Sequence, residues 1–162
     1  LTEPIKIRLL LGQDGRFTLE AVPLSIGAKP QPVRLGLAKE PIDSQTVWLY
    51  HKTTRRHLYE AARASRPDCD EVILHNQRGE LTEASSSNIA LLLDGKLVTP
   101  PIESGLLGGT FRSYLLKNSK GLQNPQGLPL QEKVLTLADL GRCAGVYLFN
   151  SVRGWETAVL DV

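Results

Sequence analysis

The stretch LTEASSSNIALLLDGKLVT, residues 81–99, decides the fold of this chain. Within it, residues 88–93 (NIALLL) and 96–99 (KLVT) flank Asp94-Gly95, a dipeptide typical of two-residue β-hairpin turns. A shorter predicted strand, residues 80–84 (ELTEA), precedes this hairpin. The serines between the two strand-like runs form either a solvated loop or a row of small side chains that leaves room for a flat ligand.

More strands and one helix are predicted on the N-terminal side of this stretch. Alternating apolar residues predict a β-hairpin over 5–11 and 16–22. Residues 53–65 (TTRRHLYEAARAS) favour a helix, with Thr53 or Thr54 as its N-cap. The other strands predicted on this side are 33–38 (VRLGLA), 48–51 (WLYH) and 71–75 (EVILH).

The C-terminal side continues the pattern of short strands with a few helices. Glycines precede a predicted helix over about 110–119, and a loop rich in Gly and Pro follows it. The remaining predicted elements are a strand over 130–134, a short helix over 136–143 and a buried strand over 145–149. Mixed strands with two or three helices predict an α+β fold rather than a doubly wound α/β sheet.

Length and composition favour one ordinary globular unit and exclude several classes of protein. The 162 residues, with a net charge of +2 and 41% apolar content, suffice for one domain or about half of a larger enzyme. The small charge gives no footprint for nucleic acid, and no apolar run is long enough to cross a bilayer. The two cysteines do not make a disulfide framework, and the three histidines lack zinc-site spacing, so no metal site is predicted.

The beginning of the chain carries two expectations. No signal-peptide pattern opens it, so we expect a cytoplasmic protein. The sequence contains no methionine and begins at Leu1, so we expect an internal piece of a longer polypeptide.

Three places carry residues suited to chemistry. Lys52 follows Tyr50 at a predicted strand end, where burial would lower the pKa of its amine and make it a nucleophile, although a solvated lysine is the simpler interpretation. Glu83 stands beside small residues and can face a cationic ring nitrogen. The run GLLGGTFR, residues 105–112, leads into a helix start that either binds phosphate through backbone N–H groups or is merely capped by Thr110.

In this order, the motifs resemble one enzyme family. Lys52 in HKTTRR, then TEASSSN (residues 82–88) and GLLGGTFR (residues 105–112), resemble the fold-type IV pyridoxal-phosphate (PLP) enzymes. That family includes branched-chain and D-amino-acid aminotransferases and aminodeoxychorismate lyases. HKTTRR and FNSVRGW (residues 149–155) are most similar to the lyase branch, in particular to the lyase-like domain fused behind aminodeoxychorismate synthase component I.

The resemblance implies a domain organisation as well as a fold. It implies that residues 1–22 are the closing strands of a truncated N-terminal domain and that residues 23–32 are a linker. Residues 33–162 then form the PLP-binding C-terminal domain of the D-amino-acid aminotransferase-like fold. The family's N-terminal domain would supply a basic residue for the cofactor phosphate and part of the substrate pocket.

The resemblance also implies roles for individual residues. Lys52 is implied to bond to the PLP aldehyde and to act as the catalytic base and acid. Glu83 is implied to keep the pyridine nitrogen protonated, and Leu107 to pack against the ring. The other implied cofactor-binding residues, along the cofactor edge and around its phosphate, are Ser87, Asn88, Gly109, Thr110, Phe111, Ser151 and Val152.

Departures from the family pattern favour one branch. His57 stands where branched-chain aminotransferases usually have a tyrosine, which argues against that branch. Arg153 and Trp155 are predicted to bind an anionic aromatic precursor, with a surface Arg153 and a core Trp155 as the equal alternative.

The resulting hypothesis is a PLP-dependent 4-amino-4-deoxychorismate lyase of the folate pathway that releases pyruvate and 4-aminobenzoate. It would be a homodimer with a small-molecule substrate and with neither a nucleic-acid nor a membrane partner. The alternatives are a class IV aminotransferase for D- or branched-chain amino acids and a non-catalytic truncated domain.

Overall fold

A computed structural model describes residues 4–24, 32–118 and 124–161 of the chain. The first sheet is an antiparallel hairpin of β1 (Ile5–Leu11) and β2 (Phe17–Pro23), as predicted to within one residue. Directly opposed residues share a face, so the register places eight apolar side chains on one face: Ile5, Ile7, Leu9, Leu11, Phe17, Leu19, Ala21 and Pro23. These residues are exposed, Leu11 by 71%.

The second sheet has eight strands: Val33–Leu37 (β3), Glu71–His75 (β4), Leu81–Ala84 (β5), Asn88–Leu93 (β6), Lys96–Thr99 (β7), Leu130–Glu132 (β8), Gly145–Asn150 (β9) and Gly154–Leu160 (β10). Their order in the sheet is β5-β4-β3-β10-β9-β6-β7-β8. Three neighbouring pairs, β3–β4, β3–β10 and β7–β8, are parallel, and the other pairs are antiparallel. With three helices on this mixed sheet, the predicted α+β class is confirmed.

The connection between β5 and β6 shows that this sheet is curled. In the sheet order β5 and β6 are five strand spacings apart, which is about 24 Å in a flat sheet. Only Ser85, Ser86 and Ser87 join them, and that length of chain reaches about 14 Å at most. The sheet therefore bends until its β5 edge approaches β6, and the Ala84 N–H donates to the Ser87 carbonyl across the join at 2.8 Å.

The helices are α1 (His57–Ala64), α2 (Thr110–Lys117) and α3 (Leu137–Arg142), with 3-10 helices at Val47–Tyr50 and Ile102–Ser104. Three apolar clusters fill the inside and cover the outside of the curled sheet. Alternate residues of β9 show the division, because Val146 and Leu148 enter the main cluster while Tyr147 and Phe149 face α2. A third, smaller cluster lies under α1, around Leu74 of β4.

Three local differences separate the structure from the sequence predictions. The predicted strand over 48–51 is wrong, because those residues belong mainly to a 3-10 helix that buries Leu49. The helix predicted over 53–65 begins only at His57, with Arg56 rather than Thr53 or Thr54 at its N-cap. Strand β10, Gly154–Leu160, was not predicted and completes the middle of the sheet.

Candidate active site

A cavity of ≈ 330 Å³ opens where the curled sheet meets the starts of α1 and α2. The residues that line it come from four segments: 48–59 before and in α1, 83–88 from the end of β5 to the start of β6, 107–111 at the start of α2, and 150–151 at the end of β9. The closure of the sheet thus gathers chain segments that are far apart in sequence.

Glu83 is the carboxylate of this cavity among the described residues, and it is nearly buried at 6% exposure. Its Oε1 accepts a hydrogen bond from the Tyr59 hydroxyl at 2.8 Å and from the Leu107 backbone N–H at 3.1 Å. The Asn88 amide lies 3.4 Å from Oε2 and also donates to the Leu107 carbonyl at 3.0 Å. The carboxylate is therefore held by an element from each side of the cavity.

The environment of Glu83 places its ionisation near neutral pH. Burial raises the pKa of Glu83 to about 7, because removal from water disfavours the charged form. The hydrogen bonds from Tyr59 and Leu107 and the positive charges of Lys52 and Arg56 act in the opposite direction. Burial also raises the pKa of the Tyr59 hydroxyl, and the negative charge of the neighbouring Glu83 raises it further.

The serine loop, residues 85–87, forms the floor between β5 and β6 and is anchored on a second carboxylate. The hydroxyls of Ser85 and Ser86 both donate to Glu71, which is 1% exposed and lies on β4. Arg63 of α1 approaches the same carboxylate at 3.6 Å. The predicted alternative of a solvated serine loop is therefore wrong, because two of its three hydroxyls serve a buried acid.

The segment before α1 brings its basic side chains to the cavity. Lys52 lies between the 3-10 helix and α1 and is exposed, so the structure agrees with the solvated lysine and not with a buried one. It lines the cavity close enough to Glu83 for its charge to lower the pKa of that acid. Arg56 donates to the Ser85 carbonyl at 2.6 Å and lies 4.9 Å from the Tyr59 ring centroid. Arg55 stacks on Trp48 instead, 4.1 Å from the ring centroid.

Helix α2 points its N-terminus at the cavity. Its N-cap, Gly109, supplies no side-chain cap, so the first-turn N–H groups at Thr110 and Phe111 are suited to an anion. A Cβ on Gly109 would lie 2.5 Å from Asn88 Oδ1, so a larger residue at this position would displace the Asn88 side chain, which is hydrogen-bonded to Leu107.

A buried arginine fixes the start of α2 from behind. Arg112 is 2% exposed and donates to the Pro100 carbonyl at 2.8 Å and to Glu132 of β8 at 2.5 Å. The run GLLGGTFR, residues 105–112, thus combines an open helix start with an arginine that holds it in place.

Nine of the predicted site residues meet around this cavity: Lys52, Glu83, Ser87, Asn88, Leu107, Gly109, Thr110, Phe111 and Ser151. Val152, Arg153 and Trp155 do not line it. Val152 is 45% exposed, and its N–H and that of Arg153 both donate to the Asn150 side chain. Trp155 packs on Phe149 with ring centroids 4.7 Å apart. The ligand contacts expected of these three residues stay predictions.

The lining residues that were not predicted include Tyr59, Arg56 and Asn150. Tyr59 lies two residues beyond His57, which is exposed and does not line the cavity, so the tyrosine at the site is displaced along α1. The side-chain amide of Asn150 donates to Ser87 Oγ at 2.8 Å and ties the β9–β10 turn to the serine loop. Arg56 and Tyr59 stand three residues apart at the start of α1, and this i, i+3 spacing was the available signal for the first two.

One group of possible metal ligands occurs among the described residues, away from the cavity. Donor atoms of Asp68, Cys69 and Asp161 lie within 4.8 Å of one another. The Arg66 guanidinium donates to Asp68 at 3.0 Å, to the Cys69 sulfur at 3.3 Å and to the Asp161 carbonyl at 2.6 Å. An arginine therefore already engages this group, and we assign no metal to it.

Comparison with known proteins places these features in context. The sequence profile described as "Amino-transferase class IV" matches residues 5–158. A Schizosaccharomyces pombe protein named "Putative aminodeoxychorismate lyase" is 30% identical over 167 residues, which cover 96% of this chain and 72% of that protein. Within the described residues, no helix is long and apolar enough to span a membrane.

Solved structures share the fold. One named "Putative amino-acid aminotransferase from Mesorhizobium loti" superposes with a TM-score of 0.85 at 34% identity, over 97% of this chain and 73% of that chain. The 4-amino-4-deoxychorismate lyase from Pseudomonas aeruginosa superposes with a TM-score of 0.70 at 27% identity, over 88% of this chain. The present chain spans 53% of that lyase, which is about half its length.

Proposed function

The chain belongs to the amino-transferase class IV family, whose members depend on PLP, and on that premise we propose that it is the lysine-bearing part of a 4-amino-4-deoxychorismate lyase. The proposed reaction releases pyruvate and leaves 4-aminobenzoate, a precursor of folate. The observation that carries the proposal is that a single cavity holds Lys52, the buried Glu83 and the uncapped start of α2. The similarity to lyase-named relatives supports the choice of reaction.

The residues around the cavity fit PLP. The backbone cradle at Gly109, which a Cβ would obstruct, and the open N–H groups of α2 suit a phosphate. Glu83 suits a ring nitrogen, and Lys52 supplies the amine for the aldehyde. When bound, PLP supplies an electron sink that stabilises negative charge at the carbon bearing the substrate amine.

Lys52 is the proposed acid–base group. Its Nζ would accept the proton from the amine-bearing carbon of the substrate. Lys52 is placed for this role because it lines the same cavity as Glu83 and the start of α2. Loss of that proton and cleavage of the neighbouring ring C–O bond release enolpyruvate, which takes up a proton to become pyruvate, and leave an aromatic ring. Aromatisation makes the elimination favourable.

Glu83 is the proposed electrostatic partner of the cofactor ring. With a pKa of about 7, Glu83 is only partly ionised without a ligand, and a cationic ring nitrogen would favour its ionised form. Tyr59 and the Leu107 N–H fix the position of the carboxylate, so the charge is held at one place rather than shared over several rotamers.

The first experiment adds PLP to the purified chain and follows visible absorbance. We expect a band that is absent in Lys52→Ala and present in Lys96→Ala, a matched control at an exposed lysine on β7. Lyase turnover, assayed as pyruvate and 4-aminobenzoate, should fall by about 10³-fold or more in Lys52→Ala. No band in the unaltered chain at saturating PLP would contradict the proposal.

A class IV aminotransferase is the second candidate, favoured by the similarity to the Mesorhizobium loti structure. It would use the same Lys52 and Glu83. Product analysis separates the two, because an aminotransferase transfers the amine of a D- or branched-chain amino acid to a keto acid and forms no 4-aminobenzoate. A non-catalytic domain would give neither product.

The proposal extends to assembly and location. We propose a homodimer that works in the cytoplasm on a small-molecule substrate. Sedimentation of the purified chain, with and without PLP, measures its mass in solution, and a monomer under both conditions would contradict the dimer.

A further inference from the structure

Arg55 is a cavity-lining cation whose side-chain donors are unused within residues 4–24, 32–118 and 124–161. Its guanidinium carbon lies 4.1 Å from the Trp48 ring centroid, and both residues line the cavity. No hydrogen bond or ion pair engages its side chain there, whereas the neighbouring Arg56 donates to the Ser85 carbonyl at 2.6 Å. Of the two consecutive arginines, Arg55 therefore has more free N–H donors available to bind a ligand.

Stacking on Trp48 prepares the Arg55 guanidinium for an anion. The indole face attracts the flat face of the cation and restricts its orientation. The N–H donors lie in the plane of the guanidinium and point away from its faces, so stacking leaves them free for two parallel hydrogen bonds to a carboxylate. A lysine in the same place would offer a charge but not this fork.

The charge around the cavity also calls for an anionic ligand. Lys52, Arg55 and Arg56 line it, and Glu83 is the carboxylate that faces them among the described residues. Glu83 already accepts hydrogen bonds from Tyr59 and Leu107. In the proposed function Lys52 and the start of α2 serve the cofactor, which leaves Arg55 as the cation available to the substrate.

We propose that Arg55, held by Trp48, is a subsite for a substrate carboxylate that is remote from the reacting amine. Such a subsite selects an acidic cyclic amine over an amine of similar shape that lacks the acid. This inference rests on the proposed function, because the amine must reach Lys52 while the acid reaches Arg55. A phosphate has the same chemistry, so the experiment has to separate a substrate carboxylate from the cofactor phosphate.

The experiment titrates the chain by calorimetry with isophthalate, a cyclic dicarboxylate, and with uncharged benzamide. Arg55→Gln should weaken isophthalate binding by about 10- to 100-fold, as expected for the loss of a charge-assisted bidentate contact. Arg55→Lys should restore only part of it, and Trp48→Leu should weaken it by about 3- to 10-fold. Arg16→Gln, at a side chain that is 91% exposed in the β1–β2 turn, is the matched control and should change nothing.

A second titration, with PLP and with pyridoxal, identifies the anion that Arg55 holds. Unchanged affinity of Arg55→Gln for both, within about twofold, supports the carboxylate subsite. Weakened binding of PLP but not of pyridoxal, with isophthalate unaffected, would assign Arg55 to the phosphate and overturn the proposal. Equal affinity of the unaltered chain for isophthalate and benzamide would overturn it as well.

The two proposals fail in different ways. The isophthalate titration needs no PLP, so Arg55-dependent binding in a chain that shows no PLP band would support the subsite and contradict the lyase. A PLP band and lyase turnover with no effect of Arg55→Gln on the KM would contradict the subsite alone.

Discussion

The β1–β2 hairpin and the serine loop have opposite relations between polarity and burial. The hairpin presents a face of aliphatic and aromatic side chains to the outside, with Leu9 exposed by 59%. The serine loop and its supports are polar and buried, with Ser85 and Glu71 each exposed by 1%. Each region breaks the ordinary rule of burial, in opposite directions.

The difference indicates which of the two regions contributes more to the stability of the fold. A buried polar group costs free energy unless every donor and acceptor finds a partner, so the loop is held by specific contacts to Glu71 and Asn150. The hairpin is held mainly by its own cross-strand pairs, and an isolated two-stranded hairpin is only marginally stable. Substitutions should therefore matter much more in the loop than in the hairpin.

The same change made in both regions gives the largest expected contrast. Glu71→Ala removes the acceptor of the buried Ser85 hydroxyl and of the Ser86 hydroxyl, and should lower the free energy of unfolding by about 3 kcal/mol. Glu20→Ala in β2 removes an exposed partner of Arg8, 3.5 Å away, and should change it by less than about 0.5 kcal/mol. Urea unfolding of both variants measures the contrast, and equal costs would break it.

The charge of Glu83 should make the stability of the chain without cofactor depend on pH. The folded pKa is about 7 against 4.5 for the ordinary carboxyl, so the folded state binds the proton more tightly. Stability from this group is present below pH 4.5 and is lost as pH rises through 7, by about 3 kcal/mol. Glu83→Gln should remove the loss, so that the variant is the more stable protein at pH 8. Thermal unfolding from pH 4.5 to 8 measures it, and parallel curves for the two proteins would be evidence against the buried acid.

Gly109 tests how tightly the cavity turn fits against Asn88. Gly109→Ala places a Cβ 2.5 Å from Asn88 Oδ1, so we expect a loss of about 1–3 kcal/mol in stability. Gly141→Ala in α3 meets no atom within 4 Å and should instead stabilise the chain by about 0.5 kcal/mol. Denaturation midpoints of the two variants should move in opposite directions, and a stabilising Gly109→Ala would show that the turn has room to relax.

The smallest effect is expected at the apolar face of the hairpin. Leu9→Thr removes no buried contact of consequence, so we expect a change below about 0.5 kcal/mol. Backbone amides of β1 and β2 should also exchange with solvent faster than those of β6 and β9, which lie inside the sheet. Slow exchange in the hairpin would show that its strands are protected by more than their own pairing.

Sequence reasoning succeeded where local chemistry decides the structure. The Asp94-Gly95 turn joins β6 and β7 as predicted, with both residues at positive φ (51° and 73°). The strand β10 escaped prediction because Glu156 and Thr157 interrupt its apolar pattern, and its parallel partner β3 is remote in sequence. Parallel pairings depend on crossovers that no short pattern specifies.

The site divides in the same way. The motif segments predicted Lys52, Glu83 and Gly109, which do line one cavity. The contacts of Tyr59 with Glu83 and of Asn150 with Ser87 arise only when α1 and the β9–β10 turn pack against the loop. Such contacts are set by tertiary packing, so no short sequence motif predicts them.

The length of the serine loop also limits how far the curled sheet can open. Because only three residues link β5 to β6, their number limits the diameter of the curled sheet and the distance between Glu83 and Asn88. One additional residue would lengthen the serine loop by about 3.5 Å and allow β5 and β6 to move apart. The width of the cavity mouth therefore depends on chain length at a single connection, and an insertion there would widen it while leaving the lining side chains of α1 and α2 unchanged.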